Sequence, residues 1–225
     1  IETRKGFILL TGEVGTGKTT LLNKLLDWLR QQNISTAFVF NPRLSVTEFF
    51  DFMMADFGIA CATGNKSQML LTLNHWLLER YKAGERAVLI VDEAQNLSPE
   101  MLEEIRLLTN LETSTEKLLQ IVLCGQPELH QKLSQPDLRQ LRQRITLRAK
   151  TRPLTLDEAR GYIGERLRTA GGQPEAIFSP EAVERLHRHA TVGTRPLDCL
   201  SLRPEPLVGT AIEPPVGGPV DHHPG

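Results

Sequence analysis

Short unbroken apolar runs alternate along the chain with longer stretches in which apolar residues recur every three or four positions. The first pattern predicts buried strands and the second predicts amphipathic helices. Phe7 to Leu10 is the first run. A helix over residues 20–32 follows it, with Leu21, Leu22, Leu25, Leu26 and Leu29 in phase. Thr36 to Phe40 reads as a second strand, stopped by Asn41-Pro42. Ser45 is placed to cap a helix through about Phe57, with Phe49, Phe50, Met53 and Phe57 inward and Gly58 as terminator. Residues 66–83 predict another helix, with Met69, Leu70, Leu73, Trp76, Leu77 and Tyr81 on its apolar side. His75 within it reads as exposed or partner-satisfied rather than as a metal ligand.

Ala87 to Val91 is apolar at every position, which suits a strand covered on both faces in the middle of a parallel sheet. Ser98-Pro99 then opens a helix to about Leu111, with Leu102, Ile105, Leu108 and Leu111 inward. Leu118 to Cys124 is the next buried strand. Leu129 to about Gln143 reads as helical, broken at Pro136, and Ile145 to Ala149 as a last short strand. Strands and helices alternate over residues 6–149, so the expected class is α/β with a parallel sheet.

After Arg152-Pro153 only helical patterns remain. Thr155 caps one through Thr169, with Glu158 spaced for a capping box, and Gly171-Gly172 ends it. Ser179-Pro180 opens another to about Ala190. The expected division is a nucleotide-binding α/β domain over 1–152, a small helical lid over 153–192, and a tail over 193–225. Residues 201–225 hold six Pro, four Gly and no aromatic residue, a composition that cannot bury a core. His222-His223 in it reads as solvated chain.

Composition narrows the class. Hydrophobic residues are 40%, charged residues 24% and the net charge is -1, so no overall basic field points to nucleic acid. Cys61, Cys124 and Cys199 are too few and too far apart for a disulfide framework, which fits a reducing compartment. Cys124 reads as a small buried hydrophobe. No apolar run approaches the length of a membrane span. The chain begins at Ile1, close to its first strand, and is expected to lack an N-terminal segment.

The first strand ends in Gly12-Glu13-Val14-Gly15-Thr16-Gly17-Lys18-Thr19, which fits G-x-x-x-x-G-K-[ST] at every fixed position. The strand before it and the helix after it are the context that this motif requires. A triphosphate needs many donors at close range. The glycines allow backbone turns that a Cβ resists, so the loop N–H groups can converge as an anion nest. The helix that starts near Lys18 adds free N–H groups and the positive end of its dipole. Gly12 to Thr20 is therefore the expected ATP-binding stretch. Lys18 reaches the β- and γ-phosphates, and the Thr19 hydroxyl ligates Mg2+.

Asp92-Glu93 follows the apolar run Ala87–Val91, at the strand end where open α/β sheets bind ligands. Asp92 is the expected second Mg2+ ligand. Glu93 is the expected general base, since a water attacking the γ-phosphate must lose a proton. Gln126 either reaches the same water or γ-phosphate, or is a polar loop residue before Pro127. Arg139, Arg142, Arg144, Arg148, Lys150 and Arg152 lie close together. Besides a solvated face, three uses compete for them. One is a finger acting on a neighbour's ATP. Another is a phosphate-binding face for DNA. The third is a surface meeting Glu100, Glu103, Glu104, Glu112 and Glu116 of an adjacent subunit, a head-to-tail contact of the kind that closes into rings.

LLTGEVGTGKTTLL, VLIVDEAQNLSPEMLEEIRLLTNLET, KLLQIVLCGQPEL, LRQLRQRI and RPLTLDEARGYI together resemble the AAA+ ATPases of the general secretion pathway A (ExeA-like) family, over roughly residues 1–192. ATPases of pilus and exosortase loci are similar. The resemblance implies an AAA+ P-loop fold with strand order 5-1-4-3-2, a helical lid, ATP hydrolysis and a homo-oligomeric ring. It also implies a cytoplasmic protein working with an inner-membrane secretion or pilus-type partner. Gly12 to Thr19 would be the Walker A loop, Asp92 and Glu93 the Walker B pair, and Gln126 would stand near sensor 1. The finger would come from Arg139, Arg142 or Arg144, with Arg144 favoured. Where similar members read Gly-x-Pro-Arg and then a helix, this chain has Gly193-Thr194-Arg195-Pro196, so Arg195 is the candidate substitute for the sensor 2 arginine and Pro196 would disturb the helix behind it. The change of composition near residue 193 predicts truncation or a change of reading frame and an incomplete lid. Two other readings share these motifs. One is an ATP-dependent DNA-binding transposition helper, and the other a nucleotide-binding scaffold that no longer cycles.

Overall fold

The computed structural model describes residues 6–40, 44–60, 65–114, 116–173 and 177–192. Expectations placed on Asn41-Pro42, Cys61, Arg195, Cys199 and the tail from residue 193 lie outside these residues.

Five parallel strands form one sheet: β1 (Phe7–Thr11), β2 (Ser35–Val39), β3 (Ala87–Val91), β4 (Leu119–Gly125) and β5 (Leu147–Lys150). Their order is β2-β3-β4-β1-β5, which is 5-1-4-3-2 read from the other edge. Ala37 pairs with Leu89, Leu89 with Ile121, Leu9 with Leu123 and with Arg148.

The period-2 alternation of strands sorts the apolar residues between two cores. Leu89, Val91, Ile121 and Leu123 face one side, and Val88, Ile90, Val122 and Cys124 face the other. The second side is covered by α1 (Lys18–Gln31), through Leu22, Leu26 and Leu29. The first is covered by α2 (Val46–Asp56), α3 (Lys66–Lys82), α4 (Pro99–Leu108), α5 (Pro127–Leu133) and α6 (Arg139–Arg144). Phe49, Phe50, Met53, Leu73 and Ile105 are fully buried there. With helices on both faces every position of β3 and β4 is buried, and β3 is apolar throughout while β4 is apolar except for Gln120.

Local signals account for the helix ends. Ser45 and Glu48 form a complete capping box on α2, a pairing not anticipated from the sequence. Ser98 accepts from Met101 N–H and Pro99 stands at the first turn of α4. Gly58 follows α2 at φ 71° as its terminator. α4 stops at Leu108, short of the expected Leu111, where Thr109 Oγ1 turns back to the Arg106 carbonyl. The expected 129–143 helix is three pieces: α5, a single turn Pro136–Leu138, and α6. Pro127 and Pro136 each restart the chain because proline suits a first turn but not a helix interior. β5 begins at Leu147, later than expected, and all four of its residues are exposed at the sheet edge. His75 is exposed and lies 3.2 Å from Glu79.

Beyond β5, α7 (Leu156–Thr169) starts with the expected Thr155–Glu158 capping box. Gly171, at φ 81°, ends it. α8 (Pro180–Val192) packs against α7. Arg152 holds Glu158 with two hydrogen bonds of 2.8 Å. That grip, then the Thr155 backbone N–H, pulls the Glu158 carboxyl down to about 2.

Candidate nucleotide site

The site lies at the carboxyl edge of the sheet. Parallel register brings Thr11 beside Gly125 and Lys150, and Val91 beside Leu123, so β1 and β4 end level and β3 ends two residues earlier at the same edge. Gly12 N–H donates to Gly125 O at 3.2 Å and ties the phosphate loop to the turn that carries Gln126.

Gly15 and Gly17 take φ of 72° and 82°, left-handed values that glycine adopts freely. Gly12 is required for a different reason. A Cβ there would stand 1.8 Å from Thr151 Oγ1. Thr151, which follows β5, shares a 2.6 Å hydrogen bond with the Thr16 hydroxyl. Its backbone N–H donates to Thr11 O at 2.8 Å.

Lys18 is only 7% exposed, and its Nζ donates to the carbonyls of Gly12 and Glu13 at 2.8 Å each. A buried ammonium needs such partners. Thr19 and Thr20 are exposed in the first turn of α1, and Glu13 and Val14 are exposed on the loop.

Asp92 is buried, donates its N–H to Val39 O at 2.9 Å, and accepts from Glu93 N–H at Oδ1. Glu93 has φ 52°, so the chain turns sharply after β3 into a short turn, Ala94–Asn96. Such a conformation is uncommon for a residue with a Cβ and marks a backbone constrained by its surroundings. Glu93 Oε2 accepts from Gln95 Nε2 at 2.5 Å and from Gln126 Nε2 at 3.4 Å. Gln95 Oε1 in turn accepts from the Gln126 backbone N–H at 3.0 Å. Lys132 of α5 donates to the carbonyls of Gln95 and Leu97 at 2.5 and 2.8 Å. The Gln126 side chain thus lies beside Glu93.

Cys124 is fully buried, and its thiol is pushed well above its usual value, first by burial and then by the Asp92 charge and hydrogen bond.

The arginine run starts in α6 and continues along β5, whose last residue, Lys150, pairs with Thr11. Arg139, Arg142, Arg144, Arg148 and Lys150 are exposed. Arg144 donates to Asn110 Oδ1 at 3.2 Å. Among the described residues, none of the five hydrogen-bonds the phosphate loop or Asp92-Glu93. Three of the five acids expected to meet this run across an interface have partners within the chain. Glu103 pairs with Arg106, Glu104 with Lys66 and Glu112 with Lys117. Glu103 and Arg106 are one helical step apart on α4, whereas Lys66 reaches Glu104 from α3 and Lys117 faces Glu112 across an isolated antiparallel bridge.

Gln95, Lys132 and Thr151 were not singled out in the sequence. Gln95 had a local signal, standing two residues after Glu93. Lys132 and Thr151 had none, because they reach the site through the sheet register and the packing of α5.

These residues fit a nucleotide and its cation. The loop offers glycine turns, a close approach at Gly12 and a buried ammonium. Asp92 and Thr19 offer oxygen donors, the type that Mg2+ takes. Among the described residues no group of three or more His, Cys, Asp and Glu is arranged to hold a metal.

Residues 1–133 match the family described as AAA domain. The chain belongs to that family. The AAA domain chain is 47% identical over 185 residues to General secretion pathway protein A of Aeromonas hydrophila. That alignment covers 81% of this chain and 33% of the relative, so the chain spans about a third of that protein's length. Among solved structures, Cdc6p from Pyrobaculum aerophilum superimposes with a TM-score of 0.63 at 21% identity, covering 85% of this chain and 50% of that one. The ORC2 protein of Aeropyrum pernix gives 0.60 at 14% identity, covering 83% and 52%. At these identities the two structures establish the fold: a P-loop AAA+ sheet. Among the described residues no helix is long and apolar enough to cross a membrane.

Proposed function

We propose that this AAA domain binds ATP with Mg2+ and hydrolyses it as an oligomeric motor or switch serving secretion or envelope assembly. The observation that carries the reading is the convergence of Lys18, Asp92, Glu93 and Gln126 at one edge of the sheet, beside the glycine loop. In this reading the Lys18 ammonium exchanges the Gly12 and Glu13 carbonyls for β- and γ-phosphate oxygens. The N–H groups from Gly12 to Thr20 surround the phosphates. The Thr19 hydroxyl and Asp92 hold Mg2+, which supplies neutralisation of developing phosphate charge when bound. Glu93 orients a water and takes its proton, and Gln126, sharing Glu93 Oε2, stands next to that water.

An arginine of α6, Arg144 or Arg142, completes the site of a neighbouring copy. Their exposure, and their lack of a hydrogen bond to the loop or to Asp92-Glu93 of their own chain among the described residues, support a role in trans. Residues 1–152 act as the nucleotide-binding unit and 153–192 as the lid. The secretion role rests on the likeness to General secretion pathway protein A. The protein then works in the cytoplasm or at the inner membrane through a secretion or pilus-type partner.

The test is ATP turnover against protein concentration, with Lys18→Ala and Glu93→Gln as controls. Lys18→Ala is expected to lose nucleotide binding. Glu93→Gln is expected to bind ATP without turning it over, and normal turnover by it would overturn the assignment of the base.

The second reading, a DNA-binding transposition helper, rests on the exposed row Arg139, Arg142, Arg148 and Lys150. A salt-sensitive gel shift with duplex DNA, lost when these residues are reversed in charge, would favour it.

A further inference from the structure

Glu93 is a long side chain at a backbone turn with φ 52°, and a general base works only if it is held. What holds it is Gln95. The Gln95 amide bridges two groups at once. Its Nε2 donates to Glu93 Oε2 at 2.5 Å, and its Oε1 accepts from the Gln126 backbone N–H at 3.0 Å. Gln95 is fixed in its own place. Lys132 clamps its carbonyl, together with that of Leu97, from α5. Gly125 leaves the space its side chain occupies, since a Cβ there would stand 2.7 Å from Gln95 Oε1. Both contacts to Glu93 fall on Oε2. Among the described residues Oε1 accepts no protein hydrogen bond, so one carboxylate oxygen is held and the other is left for the proton of a water.

We infer that Gln95 is the positioning residue of Glu93, and that it locks the base to the Gln126 turn so the two groups facing the γ-phosphate move as one unit. An amide is suited to this because it has a donor and an acceptor on one planar group. The inference rests on the reading of Glu93 as general base.

The test uses the full chain and five variants, Glu93→Gln among them. Gln95→Met keeps the shape and removes both hydrogen bonds. Gln95→Glu keeps the acceptor for Gln126 N–H and turns the donor into a second carboxylate facing Glu93. Each is read by kcat, by the Kd of a non-hydrolysable ATP analogue and by thermal unfolding. The expected result is a fall in kcat of about 10- to 100-fold for both variants, the scale of a misplaced catalytic group, with analogue Kd within about twofold of wild type. A merely structural role would instead lower Tm and binding together with kcat. Gly125→Ala, which crowds Gln95 from the other side, is expected to lower kcat in the same direction. The fourth variant, Glu93→Gln/Gln95→Met, is expected to turn over no more slowly than Glu93→Gln alone, because Gln95 acts through Glu93. Unchanged kcat in Gln95→Met with Glu93→Gln inactive overturns this inference and leaves the base assignment standing. Full turnover by Glu93→Gln overturns the base assignment itself.

Discussion

The hydroxyls of Thr16 and Thr151 lie 2.6 Å apart across 135 residues of chain. One belongs to the phosphate loop and the other follows the edge strand, just before the Arg152-Pro153 connection to α7. The loop is therefore fastened at its side by the segment that leads to the C-terminal helices. Gly12 is the residue that makes room for this contact.

Gly12→Ala drives a methyl group into Thr151 Oγ1, and the expected cost is about 1–3 kcal/mol from overpacking. Adding Thr151→Ala removes the hydroxyl and is expected to recover part of that loss, because the two changes share one contact. Urea denaturation of the two single variants and the double variant checks both statements. Strict additivity would mean that the contact does not determine the choice of glycine.

A mixing experiment tests the arginines. Arg144→Ala alone is expected to lower turnover by about 10³-fold if it supplies the finger. Lys18→Ala alone is also inactive, but for lack of bound nucleotide. Mixing the two is expected to restore measurable turnover, since the intact Arg144 of one copy can serve the intact loop of the other. If the mixture stays inactive, Arg142→Ala is put through the same experiment. Failure of both leaves Arg139 as the remaining arginine of α6 to test in the same way.

The start of α7 carries a pH signature. Glu158 has its folded value pulled from 4.5 down to about 2, chiefly by Arg152. A depressed carboxyl adds stability that is fully present above its unfolded value and is lost as the pH falls through its folded one. The Arg152–Glu158 contribution should therefore fade between about pH 4.5 and pH 2. Glu158→Gln is expected to lie below wild type in thermal unfolding near neutrality and to converge with it toward pH 2. Parallel curves down to that pH would contradict the assignment.

Cys124 is expected to resist alkylation in the folded protein at mildly alkaline pH. Burial and Asp92 hold its thiol protonated, and only the thiolate reacts. Peptide mapping after iodoacetamide, with and without denaturant, checks this. Rapid labelling of the native chain would show that the floor of the site opens.

Much of the fold and half of the site could be read from the chain. Ala87–Val91, apolar throughout, and Leu119–Gly125, apolar but for Gln120, announce themselves because central strands of a helix-covered sheet are buried on both faces, a signal written in consecutive residues. The octet Gly12–Thr19 and the pair Asp92-Glu93 are equally local, since a phosphate nest needs glycines at fixed spacing and the acids must follow directly on their strand. Ser98-Pro99 and Thr155–Glu158 marked their helices for the same reason: a cap satisfies donors two or three residues away.

What escaped was whatever depends on neighbours distant in sequence. Gln126 stood equally well as a loop residue until the β3–β4 register brought it to Glu93. Lys132 looks like any surface lysine of a short helix until packing puts its ammonium on the Gln95 carbonyl. The acids after β3 suggested a face for another subunit, and the fold paired three of them within the chain. Sequence alone determined the elements, their class and the phosphate loop, because caps, strand burial and glycine turns act over a few residues. Only the tertiary structure decided what holds Glu93 and why position 12 must be glycine, because hydrogen bonds and steric exclusion act over a few ångströms, whatever the distance along the chain.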